Sequence, residues 1–508
     1  MSSNNGYRYL SKSRLMALHQ CPLRLWNEVH RRDLMQAPSA EAQARFDAGT
    51  MVGELARDLY PQGRLIAEKY WEIAMAKIHT NEALADKSIP ALFEPAFEYR
   101  QTRVRCDILV RGKGGWQLWE VKSVVNPKEY HVLDVAIQAH VLKKSMEASG
   151  SDCNFENIGV VHLNNEYVYD GKKYDANSLF SRFECLDEAL DIEIPVEDLI
   201  SEGLEIATST IPPQIKPGGQ CTDPYDCPFL GSACDVPERH PLMLVPGVGP
   251  AKLESLIAQG INTLDDLAAS SVVLNGPQQR MMKAEETGQC VVEPTLSEYL
   301  AAIGYPRYHL DFETFMPALP RYKGTRPFQA LPFQYSVHFE ESERRPAQHF
   351  GYLHSEDSDP RRLLTEHMLD VLEQHPDAPV LMYTAYEKRV LNALADELPE
   401  YADRLNTVAD RLVDLCAIVK DNIYHPDFNG SFSIKSVLPA LVPELGYDDL
   451  EIADGTAASL KYMEMIELAK SDKTSAKVIL NQLWEYCKRD TEAMIAVVSR
   501  LNILSAGI

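Results

Sequence analysis

CDILVRGKGGWQLWEVK, residues 106–122, holds two β-rich runs on either side of Gly112, Lys113, Gly114 and Gly115. The longer window 96–123, AFEYRQTRVRCDILVRGKGGWQLWEVKS, therefore reads as a hairpin. Glu120 and Lys122 are two apart on the second strand, so they share a face. Asp107 lies on the partner strand and meets them if the register allows. Acids meeting on one face repel: at ~4 Å and an effective dielectric of ~20, a like-charge pair costs about 4 kcal/mol. A divalent cation reverses that sign. Glu54, on the helix read over GTMVGELARDLYP (49–61), is the third candidate ligand. Mg²⁺ or Mn²⁺ held by Asp107, Glu120 and Glu54 would activate water and neutralise a phosphodiester oxygen. Lys122 would stabilise the developing negative charge or orient the water.

Four cysteines frame this hairpin. Cys21 stands in LHQCPLRLW (18–26), and Cys221, Cys227 and Cys234 stand in QCTDPYDCPFLGSAC (220–234). One cysteine near the start and three near the end of a segment can clamp it through a single metal centre. SKSRLMALHQ (11–20) reads as a helix capped by Ser11 or Ser13, and Pro22 suits the first turn of the next helix. Four thiolates suit zinc. Zinc sites more often use short Cys-x2-Cys spacings, and iron–sulfur clusters accept varied ones.

Taken together, residues 1–240 resemble the RecB-like PD-(D/E)xK nucleases that carry an iron–sulfur cluster, including the CRISPR-associated and AddB-type members. That resemblance implies a restriction-endonuclease-like fold and a 4Fe–4S cluster on Cys21, Cys221, Cys227 and Cys234, with zinc as the alternative. It places Glu54 at the helical metal-ligand position and Gln138, in VLDVAIQAHVLKK (132–144), at the glutamine of the last motif, where it would contact nucleic acid. The tyrosine expected four residues later is Leu142 here.

Composition bounds the rest. The 508 residues, 45% hydrophobic, suffice for two or three full cores. No apolar run is long enough to span a bilayer, and MSSNNGYRYLSKSR (1–14) lacks an apolar signal core, so the expectation is a cytoplasmic chain without a membrane partner. Its ten cysteines should then be thiols or metal ligands. Cys106, Cys153, Cys185, Cys290, Cys416 and Cys487, each in apolar surroundings, read as core residues. A net charge of −24 repels nucleic acid at long range, so any binding groove must be local. Residues 1–60, with eight Lys/Arg against six Asp/Glu, are the best local candidate.

Punctuation by proline and glycine sets a boundary near 240, and a second seam falls near EPTLSEYL (293–300), before a run of strand-like segments. Between them, MLVPGVGPAKLESLIAQGINTLDDLAAS (243–270) reads as a helix–hairpin–helix module. Gly247 and Gly249 would allow the tight turn and a close backbone approach, and Lys252 would reach a phosphate from the next helix's first turn. Such a module positions DNA or RNA without reading bases.

From 296 onward the pattern is strand-rich. YHLDFETF (308–315) is a short apolar strand with Asp311 and Glu313 on one face. ALPFQYSVHFE (330–340) and QHFGYLH (348–354) read as the next strands, and DPRRLLTEHMLDVLEQH (359–375) as a helix. APVLMYTAYEKRVLNAL (378–394) is a strand running into a helix with Glu387 at the junction. The last helix, AKVILNQLWEYCKRDTEAMIAVVSRLN (476–502), carries a buried stripe of Leu483, Cys487, Met494, Val497 and Leu501, and it sets Tyr486 and Asp490 on a common face. Acids of this kind on these elements resemble the ribonuclease H-like DEDD exonucleases of the proofreading type. The resemblance implies that Asp311, Glu313, Glu387 and Asp490 hold two metal ions roughly 3.5–4 Å apart, with Tyr486 orienting water, as in the DEDDy subgroup. The third acid is usually aspartate; Asp414, in LVDLCAIV (412–419), is a substitute candidate. The arrangement also resembles an uncharacterised bacterial family that fuses these two nuclease types.

The expectation is an α/β multidomain chain: a PD-(D/E)xK domain over 1–240, a helix–hairpin–helix module over 241–295 and a ribonuclease H-like domain over 296–508. It would hydrolyse phosphodiester bonds of DNA, or of RNA, with Mg²⁺ or Mn²⁺, its partner being single-stranded or end-containing DNA and the C-terminal site acting as a 3′–5′ exonuclease. The alternative is an iron–sulfur nucleic-acid-binding scaffold or redox sensor with one or both sites inactive.

Overall fold

The computed structural model describes residues 9–192 and 195–507. Residues 1–8, within the stretch read for a signal core, lie outside the described residues. The architecture is mixed α/β. The chain forms two compact units, one of Met1–Pro237 with Pro317–Gln329, the other of Glu238–Met316 with Ala330–Ile508. No described helix is long and apolar enough to cross a membrane.

The first unit is built on a six-stranded sheet ordered Arg64–Leu65, Ala91–Phe93, Ile108–Arg111, Trp116–Lys122, Phe155–Leu163 and Phe180–Glu184. Ile108–Arg111 and Trp116–Lys122 pair antiparallel, whereas Trp116–Lys122 and Phe155–Leu163 pair parallel. A parallel pair needs a crossover, which the helix Glu129–Ala148 supplies. Alternation along the strands sorts the two faces. Leu109, Leu118 and Ile158 share a core with Leu133, Val135 and Ile137 of that helix. Ile108, Val110, Trp119 and Val161 share another with Val52 and Ala56 of the helix Ala40–Ala56. Gly115 of the hairpin is fixed by close approach: a Cβ there would lie 2.4 Å from the Asn154 carbonyl oxygen.

The window 96–123 is not one hairpin. Ala96–Tyr99 and Thr102–Arg105 form their own hairpin, in a separate three-stranded sheet completed by Leu10–Ser11. The chain changes sheets at Cys106 and Asp107, so Asp107 sits just ahead of the strand Ile108–Arg111 rather than within it.

The second unit carries a five-stranded sheet ordered Gln348–Leu353, Leu331–Glu340, Arg307–Phe315, Val380–Met382 and Leu412–Asp414. The central strand Arg307–Phe315 pairs antiparallel with Leu331–Glu340 and parallel with Val380–Met382. The 34-residue helix Lys473–Ala506 buries Leu483, Cys487, Met494, Val497 and Leu501, the stripe its period requires.

The region 241–295 belongs to this second unit. Its helices are Pro250–Ala258, Leu264–Ala269 and Gly276–Thr287, preceded by a four-residue 3₁₀ turn, Pro241–Leu244. The element before the glycine turn is therefore not an α-helix, because Pro241 and Pro246 bracket it too closely. Gly247 takes φ +77°, the left-handed turn position. Gly249 does not: it is extended, at φ −97°, as N-cap of Pro250–Ala258. Lys252 is exposed in that helix's first turn.

Candidate active sites and the cysteine loop

In the first unit, Glu120 and Lys122 lie on the sheet face covered by the helix Glu129–Ala148, and that helix adds Asp134 and Gln138 one turn apart. Glu120 is 2% exposed and Gln138 is fully buried. Lys122 Nζ donates to Glu120 Oε1 at 2.7 Å and to Asp134 Oδ2 at 2.6 Å. Lys12 Nζ donates to the same Glu120 oxygen at 2.7 Å and lies 3.0 Å from Asp134 Oδ1. Gln138 Nε2 donates to Glu120 Oε2 at 2.7 Å, and Gln138 Oε1 is buried without a hydrogen-bond partner. Asp107 Oδ2 accepts from the Val121 N–H at 2.7 Å.

The ion pairs explain the protonation states. Burial alone would push the Glu120 carboxyl up, but Lys12 and Lys122 outweigh it and hold it well below the usual range. Burial and the neighbouring Glu120 carboxylate push Asp107 up. The two ammonium groups thus supply counter-charge that the sequence reading reserved for a metal.

The structure brings Asp107, Glu120, Lys122 and Gln138 together. Glu54 is exposed on the helix Ala40–Ala56, whose Val52 and Ala56 cover the opposite face of the sheet. The further carboxylate that raises Asp107 is Glu94, which is half-buried with φ +56° and whose N–H donates to the Asp107 carbonyl at 3.2 Å. Lys12, Glu94 and Asp134 were missed. Asp134 was legible four residues before Gln138; Lys12 and Glu94 arrive only through tertiary folding. Leu142 is fully buried in the apolar core, which is why a hydrophobe suits that position.

The four framing cysteines also come together. Cys21 caps both helices Lys12–Gln20 and Pro22–His30, with Ser11 accepting from Arg14 at the first helix's start. Gln20 Nε2 donates to the carbonyls of Gln220 (2.7 Å) and Tyr225 (2.6 Å) in the cysteine loop. Gln36 binds the carbonyls of Pro228 (2.9 Å) and Leu230 (3.0 Å). The Cys234 thiol is raised first by burial and then by Cys227, Cys21 and Cys221, so those three lie within electrostatic reach of it. Of the six cysteines read as core, Cys106, Cys153, Cys185 and Cys487 are buried, whereas Cys290 and Cys416 are half-buried.

In the second unit, Asp311 and Glu313 project from the central strand toward the helix Lys473–Ala506. Ligand atoms of Asp311, Glu313 and Cys487 lie within 4.8 Å of one another. Cys487 is thus more than packing: its Sγ donates to Asp311 Oδ2 at 3.5 Å. Glu313, Glu387 and Asp490 are 6%, 4% and 8% exposed. Burial and mutual repulsion raise Asp311 and Glu313 strongly. Glu387, in the first turn of the helix Tyr386–Glu397, is raised to about 7 by burial, then by Asp414 and Asp490, despite its own backbone N–H. Asp490 is raised to about 6 by burial, held from going higher by hydrogen bonding from Tyr447, by Lys435 and by Tyr486. Tyr447 donates to Asp490 Oδ1 at 2.6 Å. Lys435 Nζ lies 5.7 Å from the Tyr447 ring centre and 5.6 Å from that of Tyr486. Asp414 caps the helix Leu415–Asn422 through an Oδ1 bond to the Ala417 N–H at 3.0 Å. Glu387 Oε2 is buried with no hydrogen-bond partner. Lys435 and Tyr447 were absent from the sequence reading, because no local pattern distinguishes them.

These raised carboxyls set a pH dependence. In the folded metal-free protein Asp490 and Glu387 keep protons up to about pH 6 and 7, whereas unfolded carboxyls lose them near pH 4. Stability from these groups is therefore full below about pH 4 and is lost as pH rises through 6–7. Hydrogen exchange in the helix Lys473–Ala506, corrected for intrinsic rates, should show weaker protection at pH 8 than at pH 5.5. Asp490→Asn should flatten the difference, and Mn²⁺ should restore protection at pH 8.

A family profile described as "Domain of unknown function (DUF2779)" matches residues 308–433, a span that includes Asp311, Glu313, Glu387 and Asp414. No curated protein and no solved structure matches the chain.

Proposed function

We propose that the chain is a Mg²⁺- or Mn²⁺-dependent nuclease whose second unit trims 3′ ends and whose first unit holds a separate phosphodiester-cleaving site. The observation that carries this reading is that Asp311 and Glu313, with ligand atoms within 4.8 Å of each other, interact electrostatically with the buried Glu387 and Asp490, and that Tyr486 feels Asp490, Glu313 and Asp311. Acids held this way are costly without cations, and the partnerless Glu387 Oε2 is an acceptor waiting for one. Two metal ions there would activate the attacking water and stabilise the leaving oxygen. The order and directions of the five strands are those that a ribonuclease H-like fold implies. The first unit's strand–hairpin–helix–strand core, with Asp107, Glu120 and Lys122 on it, likewise suits a PD-(D/E)xK fold.

Cys21, Cys221, Cys227 and Cys234 would hold a metal centre, a reading supported by the electrostatic reach of the other three to Cys234 and by the absence of a disulfide among them. A 4Fe–4S cluster bound there would supply a structural cross-link between the start and end of the first unit; zinc would do the same without colour. The compensation of Glu120 by two lysines favours a second reading, in which the first site binds nucleic acid without cutting it.

The deciding experiment uses end-labelled single-stranded DNA and RNA. Nucleotide-by-nucleotide loss from the 3′ end, requiring Mg²⁺ or Mn²⁺ and absent in Asp311→Ala, is the expected result. Residual cleavage in Asp311→Ala that disappears on adding Glu120→Ala assigns activity to the first site. Metal-independent binding without cleavage by any form of the protein would sink the nuclease reading.

A further inference from the structure

Lys12 is a residue that no motif assigned, yet its ammonium bonds to the most buried carboxylate of the first site. Glu120 Oε1 accepts from Lys12 and from Lys122, both at 2.7 Å. Both ammonium groups also reach Asp134, so Lys12 and Lys122 together neutralise Glu120 and Asp134 where a divalent cation would otherwise do so. Lys122 comes from the same strand as Glu120, whereas Lys12 comes from 108 residues earlier in the chain. It opens the helix Lys12–Gln20, whose last residue donates to two carbonyls of the cysteine loop. At 1.5 Å per residue its nine residues span about 13 Å. Gln20 and Cys21 hold one end of this rod while Lys12 holds the acids at the other. The partnerless Gln138 Oε1, buried on the same carboxylate, marks an acceptor that no described protein donor satisfies.

We propose that Lys12 is a positioning residue of the first site: its ammonium is the resident counter-ion that a divalent cation must displace from Glu120, and the helix Lys12–Gln20 ties its placement to the cysteine loop. The inference rests on Asp107 and Glu120 being metal ligands, as in the nuclease reading. An ammonium and a divalent ion compete for Glu120 Oε1 and repel each other, so Lys12 keeps metal affinity low while holding Glu120 and Asp134 in place. Anything that loosens the far end of the helix weakens that hold.

The test is Mn²⁺ binding by the full chain carrying Asp311→Ala and Asp490→Ala, which disable the second unit's site. Lys12→Met should tighten Mn²⁺ binding at the first site at least tenfold, and Lys12→Arg should stay within threefold of the parent. Lys12→Gln, which removes the charge and keeps a donor, repeats the test should the methionine variant fail to fold. Gln20→Leu, which cuts the helix from the loop carbonyls while sparing every thiol, should tighten binding in the same direction. Added to Lys12→Met it should change nothing further, since both act through one group. Glu120→Gln is the reference and should abolish the binding step. If it does so while Lys12→Met and Lys12→Gln bind Mn²⁺ like the parent, the role of Lys12 is refuted and the metal site stands. If Glu120→Gln leaves Mn²⁺ binding intact, the metal-site reading fails and Lys12 falls with it. If Gln20→Leu adds to Lys12→Met, the link to the cysteine loop is refuted.

Discussion

Asp490→Ala is expected to abolish metal-dependent 3′-end trimming and to weaken Mn²⁺ binding, whereas Tyr486→Phe should keep the metal and lose only rate. The two side chains share one face of the helix Lys473–Ala506, yet their chemistry differs. Asp490 is a carboxylate among carboxylates; without it the remaining acids still repel but no longer close around a cation. Tyr486 offers only a hydroxyl, whose proposed work is to position water, a contribution of about 10²–10⁴-fold. The Tyr447 hydrogen bond adds a third arm. Tyr447→Phe frees Asp490 Oδ1 and should shift the pH dependence of trimming while metal affinity changes little. Calorimetric Mn²⁺ titration beside single-turnover trimming separates the three. Full trimming by Asp490→Ala, or unchanged rates in Tyr486→Phe, would remove the exonuclease assignment and leave the helix face as packing.

The second large effect concerns the cysteine loop. Cys227→Ser should yield a protein without visible absorbance if an iron–sulfur cluster is bound, and a first unit readily cut by protease. Its backbone N–H donates to the Cys221 carbonyl at 2.8 Å, so the loop keeps some local order, but the thiol carries the cross-link. For structural zinc sites the binding free energy is about 10–16 kcal/mol, as large as a small domain's whole stability. Limited proteolysis with mass spectrometry reads which unit opens: cuts should concentrate in the first unit while Arg307–Phe315 stays protected. A stable Cys227→Ser protein with unchanged absorbance would take Cys227 out of the ligand set. Absorbance absent from the wild type, with stoichiometric zinc, would replace the cluster with zinc.

Much of the second unit was legible because its signals are local. Asp311 and Glu313 sit two apart on a strand, and Tyr486 and Asp490 sit four apart on a helix, so backbone period alone fixes which pairs share a face. The buried stripe Leu483–Leu501 follows the same rule. The hairpin glycines and the proline after Cys21 were readable for a similar reason, since each acts on its own neighbours. What the period cannot say is where a strand changes sheet, and so the window 96–123 reads as one hairpin although the chain turns away at Cys106.

By itself, then, the sequence determined the elements, their buried faces and the acids that share them. Only the tertiary structure decided the company those acids keep. Lys12 meets Glu120 across 108 residues, and Tyr447 meets Asp490 across 43. Each is a choice of counter-charge or hydrogen bond made by packing, where burial makes an unpaired carboxylate so costly that whichever donor folding brings within reach becomes its partner.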